Sequence, residues 1–264
     1  MIRVERGDAP LIVSIPHAGI DIPEGLAGLR EPELTRYDAD LYVDRLYGFA
    51  GALGATIVWT TVSRTVIDMN RDPSGVSLYP GQTTTGLCPT ETFDGEPLYR
   101  EGREPDAAEI ERRRGEWFVS YHATLSAEIG RLRGVHPRIV LYDAHSIRSV
   151  VPRLFDGALP LFNIGTNSGA SCDPKLTELV EAICRGSGST VVNGRFKGGW
   201  ITRHYGQPEN GVHAIQMELA MRAYLDEVPP AEWPPAWDAA RAEDCITVLR
   251  HVLAAAIEFA IGSQ

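Results

Sequence analysis

The sequence is poor in lysine and has no long apolar run. Its Lys and Arg residues total 25, of which only Lys175 and Lys197 are lysines, against 35 acidic residues and a formal net charge of −10. General attraction to nucleic acid or anionic lipid comes from cationic surface, so this balance predicts neither as a partner. No stretch of about 18 apolar residues occurs, so no membrane span is expected.

Cysteine is also scarce and scattered. The four cysteines are widely spaced and include no C-x-x-C pair. This spacing predicts neither a disulfide framework nor a thiolate zinc site. The first residues lack the apolar core of a signal peptide. We therefore expect free thiols in a reducing compartment and a cytoplasmic protein.

Short apolar runs alternate with helical patterns, which predicts an α/β fold. The β-branched and apolar runs predict strands, and the periodic segments predict helices. Predicted strands cover 11–16, 55–61, 65–71, 138–146, 159–165, 189–192 and 211–219; predicted helices cover 37–54, 104–133, 173–184 and 239–261. We expect one domain over residues 1–264, with a mixed, mainly parallel sheet and helices on both faces.

Three segments lack such patterns. Residues 72–104 are dense in Gly, Pro and Thr, and long structureless segments in compact domains are usually functional, so we expect a loop that encloses the substrate. Residues 193–206 combine cations with glycines, which predicts an anion-holding loop, although a plain solvated loop is the alternative. Paired prolines precede the last predicted helix, so 229–264 is predicted to be a C-terminal helical extension.

Two buried-strand patterns end in a histidine. His17 follows the run 11–16, and His145 ends the run 138–146. Ligands of open α/β sheets bind at the carboxyl ends of strands, so both histidines are candidate site residues. A histidine that only hydrogen-bonds a loop carbonyl is the alternative for either one alone.

Several carboxylates accompany these histidines. Asp38, Asp40 and Asp44 lie before or at the start of a predicted helix, where capping alone would explain one of them. Asp143 stands two residues before His145 and shares its face in a strand, which suits a metal ligand or the carboxylate partner of one. Glu218 lies near the end of the last predicted strand. Because a buried carboxylate is costly without a role, it is the best candidate general base.

Nearly all cations are arginines, whose planar guanidinium suits bidentate recognition of carboxylates. Most are expected on the surface. Those near predicted strand ends or in glycine-rich loops are candidates for binding a substrate carboxylate, together with the amide beside one of them: Arg64, Asn70, Arg71, Arg148, Arg195 and Arg203.

Two histidines, an aspartate and a glutamate together predict a His/Asp/His zinc site with a neighbouring base, with another divalent metal as the alternative. Zinc held by three nitrogen or oxygen ligands lowers the pKa of water to about 7 and polarises a carbonyl. Arginines would bind an anionic small molecule. This set of residues favours hydrolysis of an amide in an anionic substrate.

Eight longer motifs carry a resemblance to a known family. They lie in order between about residues 10 and 225: SIPHAG (14–19), DADLYVDRLY (38–47), SRTVIDMNR (63–71), LYPGQTTTGLCP (78–89), DAHSIR (143–148), NGRFKGG (193–199), TRHYG (202–206) and QMEL (216–219). The sequence resembles the N-formylglutamate amidohydrolases, the deformylases of histidine degradation. The resemblance implies a phosphorylase/hydrolase-like fold that is zinc-carboxypeptidase-like.

The same resemblance implies an activity and site roles. The implied reaction is hydrolysis of N-formyl-L-glutamate to formate and L-glutamate, the last step of a histidine degradation route. His17 and His145 match the family's histidine positions and are expected to ligate zinc. The Asn70-Arg71 pair resembles the carboxylate clamp of the carboxypeptidase relatives, and Glu218 resembles their general base.

The third metal ligand departs from the carboxypeptidase pattern. Those relatives place a glutamate three residues after the first histidine, whereas this chain has Ile20 there. We expect Asp44 to replace it, because it opens the helix that follows the histidine loop. Asp40 is the alternative ligand, and Asp143 is expected to be the carboxylate partner of a ligand.

Two other functions share these features. One is deacylation of another N-acyl amino acid, or a carboxypeptidase-like hydrolysis. The other is a non-catalytic protein that binds a dicarboxylate and needs no metal. The oligomeric state is left open, a homo-oligomer included.

Overall fold

The computed structural model describes residues 1–78 and 81–262. Its strands are β1 Ile2–Glu5, β2 Leu11–Ile15, β3 Thr56–Thr60, β4 Ile139–Ile147, β5 Phe162–Gly165, β6 Thr190–Val192 and β7 Val212–Ala220. Its α-helices are α1 Val43–Leu46, α2 Ala107–Arg113, α3 Val119–Arg133, α4 Pro174–Arg185, α5 Trp200–Tyr205 and α6 Ala239–Ile261. A π-helical turn, Arg114–Phe118, joins α2 to α3.

The strands form one seven-stranded sheet in the order β1-β3-β2-β4-β7-β5-β6. The central strands β3, β2, β4 and β7 are parallel to one another, and β5 is parallel to β6. The pairs β1 with β3 and β5 with β7 are antiparallel. The predicted mixed, mainly parallel sheet is confirmed.

Apolar side chains pack on both faces of the sheet. In β2, Leu11, Val13 and Ile15 belong to the core cluster that includes residues of α4 and α6. The intervening Ile12 belongs to the second cluster, which includes residues of α3. Successive residues of a strand point to opposite faces, so a strand buried on both sides is apolar throughout. The predicted placement of helices on both faces is confirmed.

The predicted strand 65–71 is wrong. This stretch forms turns, with Val66 N donating to Ser63 O at 3.0 Å. The carboxylate of Asp68 accepts from Asn70 N at 2.9 Å. An aspartate that hydrogen-bonds the backbone two residues on stabilises a turn and competes with strand pairing.

The single helix predicted over 37–54 is also wrong. The structure has the short helix α1 and a 3₁₀ turn, Ala50–Leu53. Tyr42 has a φ of 63°, a left-handed conformation that a right-handed helix cannot contain. The segment 193–206 is not all loop, because α5 forms within it. Its six residues are too few to show helical periodicity in a sequence.

Loop 72–104 and the C-terminal segment 229–264 differ in their regular structure. The described residues of 72–104 contain no helix or strand, and the C-terminal α6 packs against the main core through residues such as Leu249 and Val252. Tyr79 and Pro80 of the loop prediction, and Ser263 and Gln264 of the C-terminal prediction, lie outside the described residues. Within the described ranges, no helix combines the length and the apolar character needed to cross a bilayer.

Candidate active site

The site forms where the central parallel strands end. His17 follows β2 by two residues, and His145 lies near the end of β4. In β7, Glu218 pairs directly with His145 across the ladder. Parallel neighbours bring their carboxyl ends to one edge of a sheet, so residues 201 positions apart in sequence (218 minus 17) meet there.

Three of these side chains converge. His17, Asp40 and His145 each offer a ligand atom, and these atoms all lie within 4.8 Å of one another. Asp40 Oδ2 is 3.0 Å from His145 Nδ1 and 3.7 Å from His17 Nδ1. All three residues are buried, at 3% exposure or less.

Backbone contacts place Asp40 in this cluster. Its N–H donates to His17 O at 3.0 Å, which ties the turn before α1 to the end of β2. Ser146 N donates to Asp40 Oδ2 at 3.2 Å. Asp40 is therefore held by the backbone at His17 and by the backbone next to His145.

Each histidine has a second carboxylate on its other nitrogen. His17 Nε2 lies 2.7 Å from Asp68 Oδ1, and His145 Nε2 lies 3.0 Å from Asp143 Oδ2. Metal-ligating histidines commonly donate their second ring N–H to a carboxylate, which fixes the tautomer and leaves the first nitrogen for the metal. Asp143 lies where a carboxylate partner of a ligating His145 would lie.

An unpaired buried atom also fits a metal. His17 Nδ1 faces the cluster, is inaccessible to solvent and has no hydrogen-bond partner among the described residues. Buried polar nitrogens are rarely left without a partner. Two imidazoles and one carboxylate form a donor set that zinc accepts. The residues present fit a divalent metal.

A buried arginine balances the carboxylates. Arg64 donates to Asp40 Oδ1 at 3.0 Å and to Asp68 Oδ2 at 2.9 Å. Burial opposes ionisation of Asp40, but His145, His17 and Arg64 outweigh it and hold the pKa of its carboxyl below its usual range. Burial likewise opposes ionisation of Asp68, and the charges of His17, Arg71 and Arg64 keep its pKa well below normal.

The structure separates the two aspartates considered for the third ligand. Asp44 lies in the first turn of α1 and is exposed to solvent. Asp40 takes its place in the cluster. A carboxylate at a helix start has favourable dipole and capping contacts wherever that helix lies, so the local pattern could not separate the two aspartates.

A pocket of about 590 Å³ opens over the cluster. Its floor contains His17, His145 and Glu218, and its polar rim contains three threonines of the 72–104 loop. The apolar part of its wall consists of Phe93, Ile147, Leu154 and Phe196. Loop 72–104 therefore contributes directly to the enclosure of this pocket.

Glu218 is 7% exposed and faces this pocket. Burial raises the pKa of its carboxyl to about 8. A group with a pKa near neutrality can both take and return a proton at physiological pH, as a general base requires.

Comparison with known proteins places this arrangement in a family. A family model for N-formylglutamate amidohydrolase matches residues 9–225. The chain belongs to the N-formylglutamate amidohydrolase family.

Relatives of this family member share most of its length. It is 48% identical to N-formylglutamate deformylase of Pseudomonas aeruginosa, over 96% of this chain and 94% of that protein. It is 46% identical to N-formylglutamate deformylase of Pseudomonas putida, over 87% of each chain. A crystal structure of N-formylglutamate amidohydrolase from Ralstonia eutropha JMP134 has the same fold, with a TM-score of 0.81, 22% identity and 98% of each chain covered.

The arginines named from the sequence divide into three groups in this family member. Arg71 and Arg195 line the pocket, where Arg71 Nη2 donates to Thr85 Oγ1 at 3.1 Å and Arg195 Nη2 donates to Thr83 O at 3.1 Å. Arg64 lines it too, but its guanidinium is paired with the carboxylates of Asp40 and Asp68.

Arg148 and Arg203 lie elsewhere. Neither is among the described residues that line the pocket. Arg148 Nη2 is 2.7 Å from Asp94 Oδ2 and 3.3 Å from Asp38 Oδ1. Arg203 Nε donates to Gly198 O at 2.8 Å, near the start of α5. Both guanidiniums thus contact protein groups outside the described pocket lining.

Asn70 contacts Asp143 and His145 at the floor of the site. Its Nδ2 is 3.0 Å from Asp143 Oδ2 and 2.9 Å from His145 Nε2. Its Oδ1 accepts from Ile201 N at 2.7 Å. The amide thus holds Asp143, the carboxylate beside His145, besides lining the pocket.

Sequence reasoning missed two polar residues of the site. The carboxylate of Asp68 contacts His17 and Arg64. Its place in the motif Asp-x-Asn70-Arg71 could have indicated it as a site residue. Gln216 donates to Glu218 Oε2 at 3.2 Å. Its position two residues before Glu218, on the same strand face, could have indicated it.

Proposed function

We propose that the protein is a zinc-dependent hydrolase that converts N-formyl-L-glutamate to formate and L-glutamate. The observation that carries the proposal is the buried His17–Asp40–His145 cluster beside Glu218, in a chain of this family. Curated relatives at 46% and 48% identity are named N-formylglutamate deformylase, which supports this substrate.

The metal would be held by His17, Asp40 and His145. A bound zinc ion supplies Lewis-acid polarisation of the formyl carbonyl and lowers the pKa of water to about 7. Asp68 and Asp143 orient the two imidazoles through their second nitrogens. Arg64 keeps Asp40 and Asp68 ionised, which both roles require.

Glu218 performs the proton transfer. It takes a proton from the attacking water and returns it to the amide nitrogen as the bond from the formyl carbon to that nitrogen breaks. One water is consumed, and formate and L-glutamate are released. The hydrophobic wall formed by Phe93 and Ile147 favours exclusion of other water from the reacting groups.

Two guanidiniums recognise the two carboxylates of the substrate. Arg71, next to Asn70, binds the α-carboxylate, as the resemblance to carboxypeptidases implies. Arg195, which also lines the pocket, binds the side-chain carboxylate. Both contact loop 72–104, at Thr85 and Thr83, so the loop is tied to the two arginines that would bind the substrate.

The remaining assignments are further parts of the proposal. The family resemblance implies a fold related to the zinc carboxypeptidases and the last step of a histidine degradation route. Composition and sequence patterning suggest a single domain with a C-terminal helical extension and a cytoplasmic location. The net charge of −10 agrees with a small-molecule substrate rather than nucleic acid.

Purified protein tests the proposal directly. Metal analysis is expected to find a divalent metal, and formate release from N-formyl-L-glutamate is expected to need it. Glu218→Gln should retain the metal and lose formate release, whereas the exposed Glu243→Gln should retain both. Full activity in metal-loaded Glu218→Gln would remove Glu218 from its role.

The same assay separates the alternatives. A panel of other N-acyl amino acids and peptides identifies a different deacylase or a carboxypeptidase-like enzyme by its higher kcat/KM. Tight binding of N-formyl-L-glutamate without a metal and without turnover would instead indicate a dicarboxylate-binding protein.

A further inference from the structure

We propose that Gln216 is the positioning residue that orients Glu218 for proton transfer. The inference rests on the role proposed above for Glu218. It assigns to Gln216 a function in the reaction without contact with the reacting atoms.

Gln216 and Glu218 share one face of β7. Successive side chains of a strand alternate, so residues 216 and 218 point the same way, while Ile215 and Met217 pack in the core on the other face. Gln216 and Glu218 both line the pocket, and Gln216 is 3% exposed. A polar side chain at this depth needs fixed partners.

The orientation of the Gln216 amide is determined by its backbone partner. Gly199 N lies 2.8 Å from Gln216 Oε1. Because a backbone N–H can only donate, the atom facing it must be the amide oxygen. The NH₂ group of Gln216 then faces Glu218 and donates to Oε2 at 3.2 Å.

This bond distinguishes the two oxygens of Glu218. Within residues 1–78 and 81–262, Gln216 is the one residue that hydrogen-bonds the Glu218 carboxylate. Oε2 accepts the hydrogen bond from Gln216, and Oε1 accepts the proton of the attacking water. A carboxylate held at one oxygen keeps a single geometry for proton transfer, and small losses of such geometry are costly in rate.

Gly199 is itself rigidly placed. It precedes α5, where no preceding helical carbonyl accepts its N–H, so that donor is available to Gln216. A Cβ at this position would lie 2.4 Å from Asn70 Nδ2, so the backbone approaches Asn70 as closely as only glycine allows. The close approach to Asn70 therefore fixes Gly199, the first residue in the hydrogen-bond series from Gly199 through Gln216 to Glu218.

The test replaces Gln216 by Met, which keeps the length of the side chain and removes both hydrogen bonds. We expect kcat for N-formyl-L-glutamate to fall by about 10- to 100-fold, with KM and zinc content unchanged. Gln216→Glu provides a second variant, because it retains an acceptor for Gly199 and loses the donor to Glu218. We expect a similar fall in kcat. Gln207→Met, the same substitution at an exposed glutamine, is the matched control and should keep the parent kcat.

A double-mutant cycle separates positioning from general structural damage. If Gln216 acts through Glu218, then Gln216→Met should lower the residual rate of Glu218→Gln by less than about twofold. An equal loss in both backgrounds, or a parent kcat in both Gln216 variants, would overturn the inference. Absence of deformylase activity in the zinc-loaded parent would instead overturn the proposed function, so the two failures are distinguishable.

Discussion

His145 Nδ1 and Asp40 Oδ2 lie 3.0 Å apart, although the residues are separated by 105 positions in the sequence. Both side chains are almost completely buried. A buried charge pair is costly unless its remaining polar atoms are satisfied. Arg64 satisfies the other oxygen of Asp40, and Asp143 lies against the other nitrogen of His145. Among the described residues, the nitrogen left without a hydrogen-bond partner beside this pair is His17 Nδ1, 3.7 Å from the same oxygen of Asp40.

Asp40→Asn should abolish tight metal binding. The substitution removes the negative charge of the proposed ligand and weakens its pairing with Arg64, which keeps Asp68 as a partner. We expect the zinc affinity to fall by at least about 100-fold, measured by competition with a chelator. Asp44→Asn, at the exposed aspartate of α1, is the matched control and should keep the parent affinity. The reverse ranking would restore Asp44 as the ligand.

Arg71 and Arg195 should bind different carboxylates of the substrate. Arg195→Met is expected to lower kcat/KM for N-formyl-L-glutamate on the order of 100-fold, because a substrate carboxylate loses its charged partner. It should have little effect on N-formyl-L-norvaline, which lacks the side-chain carboxylate. Arg71→Met should impair both substrates.

Arg148→Met is the control for this pair, because Arg148 contacts Asp38 and Asp94 outside the pocket lining. Its kcat/KM should stay near that of the parent on both substrates. Equal losses on both substrates in Arg195→Met would contradict the assignment of Arg195 to the side-chain carboxylate.

Gly199→Ala should lower the metal affinity indirectly, through Asn70. The new methyl group would lie 2.4 to 2.6 Å from atoms of the Asn70 amide, which must then move away from Asp143 and His145. We expect about 1–3 kcal/mol of lost stability in urea unfolding, and a zinc affinity lower by about 10-fold or more.

The matched control for this change is Gly130→Ala. A Cβ at Gly130, within α3, meets open space. Alanine is favoured over glycine inside a helix, so this variant should be more stable by about 0.5–1 kcal/mol, with parent zinc affinity. A normal zinc affinity in Gly199→Ala would show that Asn70 does not need this close contact.

His122 should make stability depend on pH. Burial lowers the pKa of His122 to about 4, and its ring nitrogens contact Met69 O and Tyr205 OH. In the unfolded chain the histidine binds a proton below its ordinary pKa of about 6.5, whereas in the folded protein it binds one only below its pKa of about 4. The free energy of unfolding therefore falls as the pH falls through this window, by at most about 3 kcal/mol.

Urea unfolding at several pH values between 7 and 4 measures this effect. His122→Gln removes the titrating group while keeping an amide near Met69 O, so its stability should fall less steeply with acid than that of the parent. His251→Gln, at an exposed position of α6, is the control for loss of a histidine. Identical slopes for the parent and His122→Gln would contradict the prediction.

Local patterns in the chain predicted most of the architecture. Buried strands and long helices depend on runs and periodicities of apolar residues, which neighbouring positions record directly. The runs that end in His17 and His145 are therefore visible before any folding is considered. Local patterns failed where side-chain hydrogen bonds compete with strand pairing, as at Asp68, and where a left-handed residue interrupts a helix, as at Tyr42.

The sequence by itself determined the α/β class, the edge of the sheet where the site lies, and the family. Only the tertiary structure decided that Asp40 and not Asp44 faces the histidines, and that Arg64 pairs with Asp40 and Asp68 while Arg195 lines the pocket. The physical reason is that ligation and ion pairing depend on distances between segments far apart in the chain. Neighbouring residues carry no record of those distances, because every aspartate at a helix start, or arginine in a loop, has the same local chemistry.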